Sequence, residues 1–178
     1  MAEWRLFGEW SSAELRSRLE ALRVRTLNFH AVEEEMTGDR GWHHYYSEAV
    51  IARGDDVDHR FARAKTALAT YQFSDPAIVV AHFDPTAPLH LRRLLLEIRV
   101  WGLRYLCPAV VHRVRDETDV FGFRYNTLEG HFERGIEWFL LTSVGIGGHM
   151  NACRSWPCMD RPSGRRAMRS ASPIRAST

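Results

Sequence analysis

His131, Glu133 and Glu137 are the residues of this sequence whose types and spacing could move a proton. The imidazole titrates near neutrality, and a carboxylate two or six positions on could orient it or share its proton, with the Tyr125 phenol as a further partner. Arg124 and Arg134 flank them and could hold a carboxylate or phosphate. All lie between Phe121 and Leu140, FGFRYNTLEGHFERGIEWFL, a window with three glycines, three glutamates and six aromatic residues. The competing reading is that His, Glu and Arg in a glycine-rich turn simply hydrogen-bond the turn to itself. No Ser nucleophile elbow, phosphate loop, dinucleotide glycine motif or zinc-protease motif occurs, so no known enzyme class is supported.

The elements that must position these groups follow from periodicity. Phe121, Phe123 and Tyr125 recur at every second residue, which predicts a strand ending at Tyr125 with three rings on one face. Asn126, Gly130 and Gly135 can each take positive φ, so the chain can reverse between them and hold His131, Glu133 and Arg134 at the rim. Ile136, Trp138 and Leu140 then alternate with Glu137 and Phe139 as a returning strand. The product is a β-hairpin with a polar tip. Its aromatics Phe121, Phe123, Tyr125 and Trp138, with Trp101 on a neighbouring strand, could line a pocket to which Thr127 and Arg134 add polar contacts.

The same stretch resembles the signature of the family called domain of unknown function nineteen-ninety. Thr127, Leu128, Gly130, His131, Glu133, Gly135, Glu137 and Phe139 match it, whereas Asn126 stands for a glycine and Glu129 and Phe132 for prolines. A second block, Gly41 to Leu68, resembles the region before and along the family's helix. With Asn28 and Phe29, the resemblance covers residues 28 to 142. It implies no activity. By fold-level analogy it implies the helix-grip architecture of START domains and birch-pollen allergens, which house small ligands.

Further along the chain, Ser11 and Glu14 form a capping-box pair ahead of Leu15, Leu19 and Leu22, predicting a docked helix from Ser11 to Arg23. Val57, Phe61, Ala64, Leu68 and Tyr71 give a second, strongly amphipathic helix, capped by Asp55 or Asp56 and ended by Asp75 and Pro76. Strands are expected at Trp42 to Arg53, Ala77 to Phe83 and Leu94 to Trp101. After a bend at Gly102 to Pro108 comes another, in which Val110, His112 and Val114 alternate with Val111, Arg113 and Arg115. The fold class is therefore α+β, a curved antiparallel sheet packed on a long helix.

Composition is that of an ordinary globular chain, and no apolar run reaches the roughly 18 residues of a membrane span. With no secretory signal at Met1 to Trp10 and an odd cysteine count, the expected location is cytoplasmic. Residues 1–142 hold 18 Lys and Arg against 21 Asp and Glu, a net of −3, while residues 143–178 hold six Arg against one Asp, a net of +5. The basic balance thus belongs to the tail, and no nucleic-acid partner is expected. The expected organisation is one domain over 1–142 and an irregular Arg-, Ser- and Pro-rich tail over 143–178, broken at Gly145, Gly147 and Gly148. A reading-frame change near Ser143 would explain the abrupt shift, and would leave a chain without native function; a genuine basic tail is the alternative. No cofactor or metal is expected. Glu33 to Glu35 read as a solvated acidic loop, the His43 and His44 imidazoles face opposite ways, and His149, Cys153 and Cys158 lack a zinc spacing. Two functions stay open: a pocket protein for a small apolar or amphipathic molecule, and an enzyme using His131 with Glu133 or Glu137.

Overall fold

A computed structural model describes residues 3–30, 32–54, 56–144 and 149–159. Eight strands form an antiparallel sheet in the order β2-β8-β7-β6-β5-β4-β3, with β1 added to β5. They are β1 (Glu3–Leu6), β2 (His43–Arg53), β3 (Val79–His82), β4 (Arg93–Val100), β5 (Leu103–Asp116), β6 (Val120–Thr127), β7 (Arg134–Val144) and β8 (His149–Met159). From β4 to β8 each strand pairs with the next, because short turns let consecutive strands fold back on themselves. β2 then pairs with β8, so an early strand joins the last one.

Both faces of this sheet are covered. On the inner face lies α2 (Val57–Ala69), whose Phe61 and Leu68 join Leu94, Leu96, Phe121, Phe123 and Phe139 in the main core. Those two residues and Ala64 are the positions that the four-three spacing selects. Asp56 occupies the N-cap without a side-chain capping bond, and Asp55 lies outside the described residues. The helix stops at Ala69, before the expected Asp75, and Tyr71 follows it at φ 59. On the outer face lies α1 (Ser12–Ala21). Both reciprocal bonds of its capping box form: the Glu14 amide donates to Ser11 Oγ (3.2 Å) and the Ser11 amide to the Glu14 carboxylate (2.8 Å). Leu15 and Leu19 pack beside Leu22, Leu95 and Leu106 in a separate cluster.

That second layer changes several expectations. β4 is buried on both faces, with Leu94, Leu95, Leu96 and Glu97 all at 2–3% exposure, since α1 covers the side that alternation alone would leave wet. β5 runs straight through the expected bend. Its Leu103–Leu106 segment pairs with β1 and its Ala109–Asp116 segment with β6, so Pro108 falls in the gap between them, where a missing N–H breaks no ladder bond. The Pro108 carbonyl still accepts from the Leu128 amide at 3.0 Å. Further along β5 the register slips between Val111 and Arg113, a bulge at His112. Val111 and Val114 therefore both join the inner core, while Arg113 and Arg115 face outward.

The sheet also passes the expected boundary at residue 142. β7 continues to Val144, and β8 pairs with both β7 and β2, so residues 149–159 are interior to the sheet. Gly145, Gly147 and Gly148 lie outside the described residues, as do residues 160–178.

Candidate functional site

The β6–β7 hairpin carries different chemistry on its two faces. Register pairs Phe121 with Leu141, Phe123 with Phe139 and Tyr125 with Glu137 on the inner face, and Gly122 with Leu140, Arg124 with Trp138 and Asn126 with Ile136 on the outer face. Gly122 permits the close approach of the two strands: a Cβ there would stand 2.2 Å from the Phe139 carbonyl oxygen.

Inside, the rings form a continuous cluster. Phe139 lies 5.3 Å from Phe123, 5.8 Å from Tyr125 and 4.8 Å from Phe73, and Tyr71 packs on Phe73 at 4.5 Å. Tyr71 and Phe73 come from the turn after α2, so that turn packs onto the same ring cluster. Set into this apolar surface, the Tyr125 hydroxyl donates to the buried Glu137 carboxylate. A phenol–carboxylate pair among aromatic rings is a buried polar spot in an otherwise apolar surface.

The tip of the hairpin is a hydrogen-bonded latch. Thr127 Oγ1 donates to Asn28 Oδ1 (2.6 Å) and accepts from the Gly135 amide (2.9 Å), while Asn28 Nδ2 donates to the Glu133 carbonyl (2.8 Å). The Arg25 guanidinium donates to the Glu129 carbonyl at 3.1 Å, and Gly130, at φ 96, leaves room for it, since a Cβ there would meet Arg25 Nη1 at 2.6 Å. His131 is 2% exposed and stacks on Phe132, and its Nδ1 accepts the Glu133 amide at 3.0 Å. That bond makes Nδ1 an acceptor and places the ring's proton on Nε2. Asn126, expected to turn the chain at positive φ, is instead an extended ladder residue opposite Ile136, and the strand reaches Thr127. Beneath the tip, burial pushes the Cys107 thiol far above its usual range, and the neighbouring Glu133 charge adds to it.

Outside, the segment from Leu27 to Trp42 packs over the hairpin. Phe29, Met36 and Trp42 form a small core with Ile136, and the helical turn at Glu33–Glu35 rides on it. Glu33 bridges three side chains: Arg124 Nη1 donates to Oε2 at 2.5 Å, Trp138 Nε1 donates to Oε1 at 3.0 Å, and Arg113 Nη1 stands 3.7 Å from Oε2. Burial lowers the Arg124 pKa, and the Glu33 charge opposes that shift. Beside this bridge a groove of about 560 Å³ is lined by His90, His112, Arg113, Val114, Arg115 and Trp138.

Of the residues singled out by sequence, the structure joins Phe121, Phe123, Tyr125 and Glu137 on one surface. Trp138 belongs to the opposite one, and Trp101 sits 81% exposed on the β4–β5 turn. Thr127, His131 and the Glu133 backbone build the tip, and Arg134 opens β7 at half-burial. Glu33, expected in a solvated acidic loop, is instead drawn into this bridge; its signal was indirect, since Arg124 and Trp138 alternate out of the aromatic face and so need an outer partner. Glu97, expected only as the polar side of a half-buried strand, is 2% exposed and receives Arg104 Nη1 (2.5 Å), Arg99 Nε (3.0 Å) and His82 Nε2 (2.9 Å). Among the described residues no group of three or more His, Cys, Asp or Glu is placed to hold a metal ion. No helix among them is long and apolar enough to cross a membrane. The side chains of His149, Cys153 and Cys158 lie outside the described residues.

Comparison with known proteins agrees with this layout. Residues 28–154 match the family described as domain of unknown function (DUF1990), a span that takes in the latch, the hairpin and part of β8. Over 89 residues the chain is 35% identical to a UPF0548 protein of Deinococcus radiodurans, an alignment spanning 44% of this chain and 45% of that one. The match thus covers less than half the length of that relative. A solved hypothetical protein of Helicobacter pylori shares the fold at a TM-score of 0.53 and 11% identity, over 76% of this chain and 80% of that one.

Proposed function

The chain belongs to the family described as domain of unknown function (DUF1990), and we propose from its own geometry that it binds a small apolar or amphipathic molecule between the curved sheet and α2, in the manner of a helix-grip domain. The observation that carries this reading is the buried Tyr125–Glu137 pair set in a wall of Phe121, Phe123 and Phe139. A carboxylate buried among aromatic rings costs desolvation, and a binding surface can use one to orient a hydroxyl or amine. Tyr71 and Phe73 are the gate. They rest on Phe139, and Tyr71 holds a left-handed backbone that costs a non-glycine residue about 1–2 kcal/mol.

Native mass spectrometry and thermal shift on the full chain, with medium-chain alcohols and fatty acids as probes, test the proposal. A ligand at about a hundred times its Kd adds about 2.7 kcal/mol of stability. Tyr125→Phe is expected to weaken an alcohol more than the matching hydrocarbon. If no probe is retained and none moves Tm, the inner face is core and the reading fails.

A further inference from the structure

We propose that the outer face of the hairpin carries an oxyanion site, selective for the carboxylate group of a small organic acid, that Glu33 fills from within the chain. This does not rest on the inner-face reading, since the two sites lie on opposite sides of β6 and β7.

Glu33 makes the contacts a bound carboxylate would make. One oxygen accepts from Arg124, the other from the Trp138 indole, and Arg113 stands at the rim. The donors belong to the sheet, whereas the acceptor is delivered by one helical turn on a covering segment. Arg124 is 5% exposed and its Nε–H has no partner. A buried donor left over beside a satisfied pair marks a cradle whose donating capacity exceeds its present occupant. The neighbouring groove supplies room and charge: Arg113 is 56% exposed, and Arg115 bonds to exposed Glu117. Burial, with Arg124, Arg113 and His90 nearby, lowers the His112 pKa, which leaves a neutral imidazole able to donate a single hydrogen bond. A diacid would set one carboxylate on Arg124 and Trp138 in place of Glu33, and the second on Arg113 and Arg115.

A tethered carboxylate competes at an effective concentration in the millimolar range or above, so the intact site binds free acids weakly. Succinate and inorganic phosphate, each titrated by calorimetry at ionic strength matched with chloride, are the probes. Glu33→Gln removes the competing charge but keeps an acceptor for Arg124, and is expected to bind succinate at least tenfold more tightly than the unmodified chain. Arg113→Ala added to it should cost roughly tenfold. If Glu33→Gln does not fold, Arg113→Ala in the otherwise unmodified chain gives the same readout as loss of the weak succinate signal. Binding of phosphate but not succinate overturns the carboxylate assignment. Heats equal to the chloride control for both probes overturn the site.

Discussion

The inner and outer faces of the β6–β7 hairpin are built from alternate residues of the same two strands, yet they are held by different physics. Inside, Phe123, Phe139 and Leu141 exclude water and pack ring on ring, with one phenol–carboxylate pair. Outside, at two places along the sheet, a carboxylate collects cationic side chains: Glu33 takes Arg124 and Arg113, and Glu97 takes Arg99 and Arg104. Apolar burial is non-directional, whereas the outer clusters fix geometry through short charged hydrogen bonds. The difference leaves the inner face to close packing and the outer face to charged contacts that hold the covering segment.

Breaking the inner face should have the largest effect. Phe123→Ala empties a position at 1% exposure and is expected to cost about 3–5 kcal/mol by urea denaturation. Glu33→Ala strips the outer face of its carboxylate and leaves Arg124 buried with its charge, an expected loss of about 1.5–3 kcal/mol in the same assay. Restoring part of it by adding succinate would tie the loss to the anion cradle. Thr127→Val removes the latch hydroxyl between Asn28 and Gly135, expected to cost about 1–2 kcal/mol. Trp101→Ser, on the exposed turn, should change stability by less than about 0.5 kcal/mol, which sets the zero of the series.

Acid sharpens the comparison another way. Burial opposes ionisation of Glu97, but hydrogen bonds from Arg99, His82 and Arg104 outweigh it and draw its pKa down to about 2. A carboxyl whose folded pKa is depressed adds stability that is fully present above its unfolded value, near 4.3, and is lost as pH falls from there through about 2. Tm measured over that window should fall, and Glu97→Gln should flatten the fall. A Glu97→Gln profile as steep as the original would show that other carboxylates carry the acid sensitivity.

Much of this was legible in the residues. The Ser11–Glu14 capping box, the Phe61–Leu68 stripe and the Phe121–Tyr125 alternation depend on neighbours within a few positions, and each appears as read. The family match likewise takes in the glycine-, His- and Glu-rich tip. Aromatic alternation also placed Phe121, Phe123 and Tyr125 on one face, because strand periodicity is local, but it grouped Trp138 with them, whereas the register sets Phe139 and Glu137 there and Trp138 opposite Arg124. What required the tertiary structure was long-range. Pro108 could stay inside a strand only because β1 and β6 leave a gap on that edge. Arg113 faces outward only because of the bulge at His112. β4 is dry on both sides only because α1, about eighty residues earlier, lies across it. Glu33 looked like a solvated acid among acids. It became a tethered ligand because Phe29, Met36 and Trp42 anchor its segment on Ile136, a hundred residues along the chain. Sequence fixes which face a side chain takes when the period is regular; only the fold decides what covers that face and which charge arrives to meet it.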